Sequence, residues 1–221
     1  MVGPSIQSES VLVSVLGGFN PRIVEPLWLA KHGLVAEEEA DDAQRQLIDE
    51  DLARIVLPWA ELIVLQDRLQ VDARNEIVNA AQLRDLLVGV LRLLPHTPIT
   101  IVSINHRVLV SAESEEQWHG VGHTLAPKEL WEGILDKPGM LDYAMQGIRP
   151  DGLDGAIKVR IQPSPHAKWG IFINVNDEWV LPDQDDPEPA ARAAELIQKI
   201  WPEAEARTTA IRRELYKRVF I

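Results

Sequence analysis

Two polar residues stand where the alternation of their strands calls for apolar ones. In the run 63–71, Asp67 shares parity with Ile63, Leu65, Leu69 and Val71; in 99–110, His106 shares parity with Val102, Ile104, Val108 and Val110. A charge turned toward a core is costly unless it is paired. The two runs flank one helical segment, and as sheet neighbours they would let Asp67 and His106 meet. A carboxylate that orients an imidazole is the arrangement of a general base, the chemistry of a hydrolase-like site. The competing reading is an ion pair that only satisfies two buried groups, or a strand end already in water.

A second candidate is His119-Gly-Val-Gly-His123, with Glu115, Glu116 and Trp118 beside it. On a helix this spacing puts both rings on one face, as paired metal ligands require. Gly120 and Gly122 argue for a loop instead, and a zincin would need Glu directly after the first His. The acidic stretch Asp183, Asp185, Asp186, Glu188 lacks the glycine and the bidentate glutamate of a calcium loop, so it reads as a solvated linker. Gly17-Gly18 follows a strand but is not continued by a further spaced glycine or by Gly-Lys-Ser/Thr, as phosphate binding needs. Ser103 and Ser164 occupy no nucleophile elbow. No motif calls for a cofactor, and none is expected.

The elements that would position these residues are strands and helices without regular alternation. Residues 11–16 read as a short buried strand ended by the glycines. Pro26 to Gly33 reads as one or two helical turns, and 37–47 as an exposed helix opened by three glutamates. Strands are expected at 54–57 and 63–71, and a helix at 80–94 with a broad leucine and valine stripe closed by Pro95 and Pro98. A long strand follows at 99–110. Between 113 and 155 the chain is punctuated by glycine and proline, with one short helix at 127–135. Two alternating strands, 157–162 and 169–175, precede two closing helices, 190–200 and 203–219, divided at Trp201-Pro202.

This pattern predicts an α+β fold: a mixed or antiparallel sheet with helices packed on one face. Ile101-Val-Ser-Ile-Asn105 and Gly170-Ile-Phe-Ile-Asn174 resemble each other faintly, which would suit two similar lobes, 1–112 and 113–221, within one domain spanning 1–221.

The last helix bears Arg207, Arg212, Arg213, Lys217 and Arg218 and ends in Val219-Phe220-Ile221. A basic, apolar-ended segment in an acidic chain predicts self-association through this helix, its basic face meeting the acidic 37–42 stretch of a second copy. Of the seven tryptophans, most are expected in the core, with Trp59 and Trp118 on a contact surface.

Composition then sorts the function classes. The chain of 221 residues is 46% apolar, enough for a sizeable core without staples. It contains no cysteine, which rules out disulfides, thiolate metal sites and cysteine nucleophiles and suits a reducing compartment. A formal charge of −12 weighs against nucleic acid as a partner. No apolar run reaches membrane-spanning length and the start lacks a basic signal-peptide region, so the expected setting is cytoplasmic. The favoured reading is a non-enzymatic protein-binding or assembly module, its partner another protein or a second copy. The alternative is a hydrolase-like enzyme using His106 and Asp67, or a site at His119 and His123.

Overall fold

The computed structural model describes residues 3–49, 51–73, 80–181 and 186–221, and of 46–49 the backbone only. Nine strands and five α-helices appear among them. The first half runs β1 (Ser5–Gly17), α1 (Pro26–Lys31), α2 (Glu37–Asp41), β2 (Gln44–Asp49), β3 (Leu52–Val56), β4 (Ala60–Leu65), β5 (Arg68–Ala73), α3 (Ala80–Leu93) and β6 (Ile99–Ser111). The second half runs α4 (Glu115–Leu125), a 3-10 turn (Lys128–Trp131), β7 (Tyr143–Ile148), β8 (Gly155–Ser164), β9 (Gly170–Val180) and α5 (Pro189–Val219).

All nine strands join one antiparallel sheet in the order β2-β3-β4-β5-β1-β6-β9-β8-β7. The expected fold class is therefore what the chain adopts. The sheet runs unbroken past residue 112, because β6 pairs with β1 on one side and with β9 on the other.

Alternation along the strands decides which face is covered. Val13 and Val15 of β1 stand opposite Ile104 and Val102 of β6, and all four are buried. The same face carries Leu62 and Val64 of β4, Leu69 and Val71 of β5, and Ile171 and Ile173 of β9. Helix α3 lays Leu83, Leu87, Val90 and Leu91 on it, and α5 adds Ala193, Ile197 and Trp201. Farther along, Val121 of α4 with Val219 and Phe220 closes a second apolar cluster over Val108, Val110 and Ile161. The other face is mixed: half-buried Leu12, Leu16, Ile63, Leu109 and Phe172 stand among the ion pairs Arg54–Glu61, Arg107–Asp72 and Lys158–Glu178.

Several local expectations change. The run 63–71 is a hairpin, not one strand: β4 ends at Leu65, Gln66 and Asp67 form the turn, and β5 begins at Arg68. A two-residue turn reverses the parity argument, so Leu62 and Val64 face the core in place of Ile63 and Leu65. The expected helix 37–47 stops at Asp41, and the chain then pairs as the edge strand β2. The expected helix 127–135 is one 3-10 turn. The closing pair of helices is a single helix of 31 residues that passes through Pro202. A proline there removes one helical hydrogen bond, and burial of Ile197, Ile200, Trp201 and Ala204 around it offsets that loss. Among the described residues no helix is long and apolar enough to cross a membrane.

Candidate functional site

His106 lies in β6 with Val11 of β1 on one side and Val175 of β9 on the other. Its ring is on the covered face and 9% exposed, as its parity with Ile104 and Val108 demands. It lines a cleft of about 430 Å³ beneath α5, shared with Glu9, Glu205, Thr208 and Arg212. Its Nε2 is buried without a hydrogen-bond partner, and so is Oγ1 of Thr208. Burial pushes the imidazole down to about 4, with Arg212 acting in the same direction and Glu9 against it. At neutral pH the ring is uncharged and only weakly basic, far from the match to ambient pH that general-base work requires.

Asp67 is elsewhere. It sits in the β4–β5 turn, its side chain 70% exposed, with Oδ1 3.4 Å from Nε of Arg68. Strands β5 and β6 are not neighbours, since β1 lies between them. The backbone carbonyl of Asp67 accepts from Gly17 N, whereas His106 faces Val11. Six residues of strand separate those positions, which is about 20 Å. The structure does not bring Asp67 and His106 together, and the hydrogen bond expected from their shared parity is absent because the hairpin turn moves Asp67 into solvent.

The segment carrying His119 and His123 is helical, against expectation. Ser114 caps α4 by accepting from Gln117 N at 3.1 Å, and Glu115 and Glu116 occupy the first turn. The two glycines are tolerated because Val121 and Trp118 anchor the helix on the sheet. Both histidines are exposed: Nε2 of His119 is 3.8 Å from Glu115, and Nε2 of His123 is 2.9 Å from Glu129. Among the described residues no group of three or more histidines and carboxylates converges to hold a metal ion. His106 and His119 line different cavities. Of the acidic loop, Asp183 and Asp185 lie outside the described residues; Oδ1 of Asp186 accepts from Glu188 N at 2.9 Å at the start of α5.

Gly17 has a packing role: a Cβ there would stand 2.1 Å from the Pro98 carbonyl oxygen, and Gly18 N donates to that same oxygen at 2.9 Å. Three of the basic residues of α5 pair within the chain. Arg207 pairs with Asp177 and Asp151, Arg212 with Glu9, and Lys217 with Glu214. Val219 and Phe220 are buried in the same chain's second cluster. Part of what pointed to self-association through this helix is therefore taken up by internal contacts, while Arg213, Arg218 and Ile221 stay exposed.

Sequence reasoning missed a buried ion cluster. Arg149, fully buried at its side chain, donates to Asp151 and Asp177, and its guanidinium lies 4.0 Å over the Trp179 ring. Arg207 reaches the same two carboxylates from α5. Two cations and two anions therefore tie the 149–154 loop, β9 and α5 together. Burial works to raise the Asp151 carboxyl, but hydrogen bonds from Arg149 and Leu153 N, with the charges of Arg149 and Arg207, hold it below the usual range. Asp177 could have been found in the sequence, because it is the one acidic residue in the Ile171–Val175–Trp179 parity row. On the uncovered face, Asn105 Oδ1 accepts from Asn174 at 3.0 Å and from Asn176 at 2.9 Å, so the two similar Ile-Asn strands lie side by side.

Also missed was the far edge of the sheet. Strand β7, Tyr-Ala-Met-Gln-Gly-Ile, pairs only with β8 and ends the strand order. Ile148 is 94% exposed, and Leu141, just before the strand, 87%. The preceding residues 128–142 expose Leu130, Trp131, Ile134 and Leu135. Beneath them, against α4 and Ile171, is a mostly apolar cavity of about 660 Å³, with Trp118 and Met140 in its wall. Trp118 and Trp59 are partly buried and donate to Gly170 O (3.1 Å) and Glu39 (2.9 Å), so the exposed tryptophan of this surface is Trp131. Comparison of the chain with models of known protein families and with characterised proteins finds no match.

Proposed function

We propose that the protein is a non-enzymatic protein-binding or assembly module whose contact surface is the β7 edge together with residues 128–142. The observation that carries this reading is the concentration of exposed apolar side chains. Among the described residues fourteen large apolar side chains are exposed, and eight of them fall between Leu130 and Leu153. Scattered exposed leucines are ordinary, whereas a concentration of exposed apolar side chains around an open strand edge is the usual mark of a protein contact. An open edge offers backbone hydrogen bonds to an added strand, and flanking side chains give specificity. The absence of cysteine suits a contact made in a reducing compartment such as the cytoplasm.

The test is a photo-cross-linking amino acid placed at Ile148 in the producing cell, with Leu27 of α1, 68% exposed, as control. A discrete protein adduct from position 148 and none from 27 is the expected result. No adduct at 148, or equal adducts at both, contradicts the reading.

A further inference from the structure

We propose that the occupant of the β7 edge is β7 of a second copy of this chain, paired antiparallel about a two-fold axis at Met145. This rests on the reading that the edge is a protein contact and names its partner.

Edge strands in folded proteins are commonly guarded by charge, proline or a bulge. The opposite edge, β2, carries Arg45 and Asp49 in its sequence; the six residues of β7 contain neither charge nor proline. The charges nearest β7 are already compensated. Arg160, opposite Ala144, is held by Asp142 at 2.9 Å, and Lys158, opposite Gln146, by Glu178 at 2.8 Å. A chain of charge −12 meets a copy of itself here without apposing like charges.

The strand is also complementary to itself. For the sheet to continue with its helices on one side, paired residues must share a face, so their numbers must sum to an even value. Centred on Met145, Tyr143 stands opposite Gly147 and Ala144 opposite Gln146. The bare glycine backbone is then covered by an aromatic ring, Gln146 meets the small Ala144, and Met145 packs against its own copy on the axis. Tyr143, Met145 and Gly147 lie on the covered face, opposite Ile161, Val159 and Ile157 of β8. That face also carries the 128–142 segment, which shares its cavity with Ile171. The two-fold therefore places both copies' Leu130, Trp131 and Ile134 on the same side of the joined sheet, where they can cover one another. Two-fold dimers, the commonest assemblies, form by such self-complementary patches.

The absence of cysteine makes the test direct. Met145→Cys introduces a single thiol at the axis on a 56% exposed side chain, so the fold is not disturbed. Mild oxidation should give a covalent dimer of twice the 24.8 kDa chain mass, while Leu27→Cys stays at the single mass. By sedimentation the wild type should have the doubled mass at micromolar concentration, and Met145→Lys, which opposes two cations at the axis, should return it to one chain. A monomeric wild type, a dimer indifferent to Met145→Lys, or no cross-link from Met145→Cys overturns the proposal. A monomer that still yields a heavier photo-adduct from Ile148 overturns the second copy and leaves the protein contact standing; no adduct removes both.

Discussion

His106 makes the stability of this protein depend on pH in a way one substitution should abolish. Its folded-state pKa is pushed from 6.5 to about 4, chiefly by burial. In the unfolded chain the ring takes up its proton near its ordinary value, while in the folded chain it stays neutral until much lower pH. Between those values the unfolded state binds more protons, so stability falls as pH falls. From pH 7.5 to pH 4.5 the penalty from this one residue is about 2.5 kcal/mol. Arg212 and Glu9, which act oppositely on the ring, are themselves paired. The perturbation is His106→Leu, an apolar replacement in the row of Ile104 and Val108. At pH 7.5 the variant should be at least as stable as the wild type, because the buried, unpartnered Nε2 is removed. Urea unfolding at both pH values measures the effect, and the wild type should lose about 2.5 kcal/mol more than the variant on acidification. The other carboxylates cancel in the difference. Equal losses, or an imidazole resonance titrating near pH 6.5 in the folded protein, would refute the burial argument.

Other substitutions probe the remaining parts. Asp177→Ala leaves the buried Arg149 with one fewer partner and should cost about 3–5 kcal/mol in urea unfolding, whereas Glu178→Ala, in a half-exposed pair, should cost less than about 1. Gly120→Ala should stabilise α4 by about 0.5–1 kcal/mol, since a Cβ there meets nothing within 4 Å, and a lower Tm would refute the account of that helix.

The central elements were legible because their patterns were long. The leucine and valine stripe of α3 and the alternation through β6 each specify one buried face, and both are found as read. The failures share a local cause. Gln66-Asp67 turns the chain without glycine, asparagine or proline, so a hairpin passed for one strand and Asp67 was assigned to the wrong side. Gly120 and Gly122 suggested a loop where docking of Trp118 and Val121 overrides propensity. Pro202 suggested a break that the buried seam of α5 does not allow. The candidate contact surface was missed for a different reason. Strand β7 has one β-branched residue and no polar alternation, because neither of its faces is sorted between core and water within a single chain.

The account turns on whether the outer edge of β7 is paired with another chain, and amide hydrogen exchange of residues 143–148 reads this directly. In an antiparallel edge strand half the amides point away from β8 and exchange freely unless another strand accepts from them. At micromolar concentration those outward amides should be protected in the wild type, with protection lost on dilution to nanomolar concentration and absent in Met145→Lys. Outward amides that exchange as fast as those of an exposed loop at every concentration would contradict it.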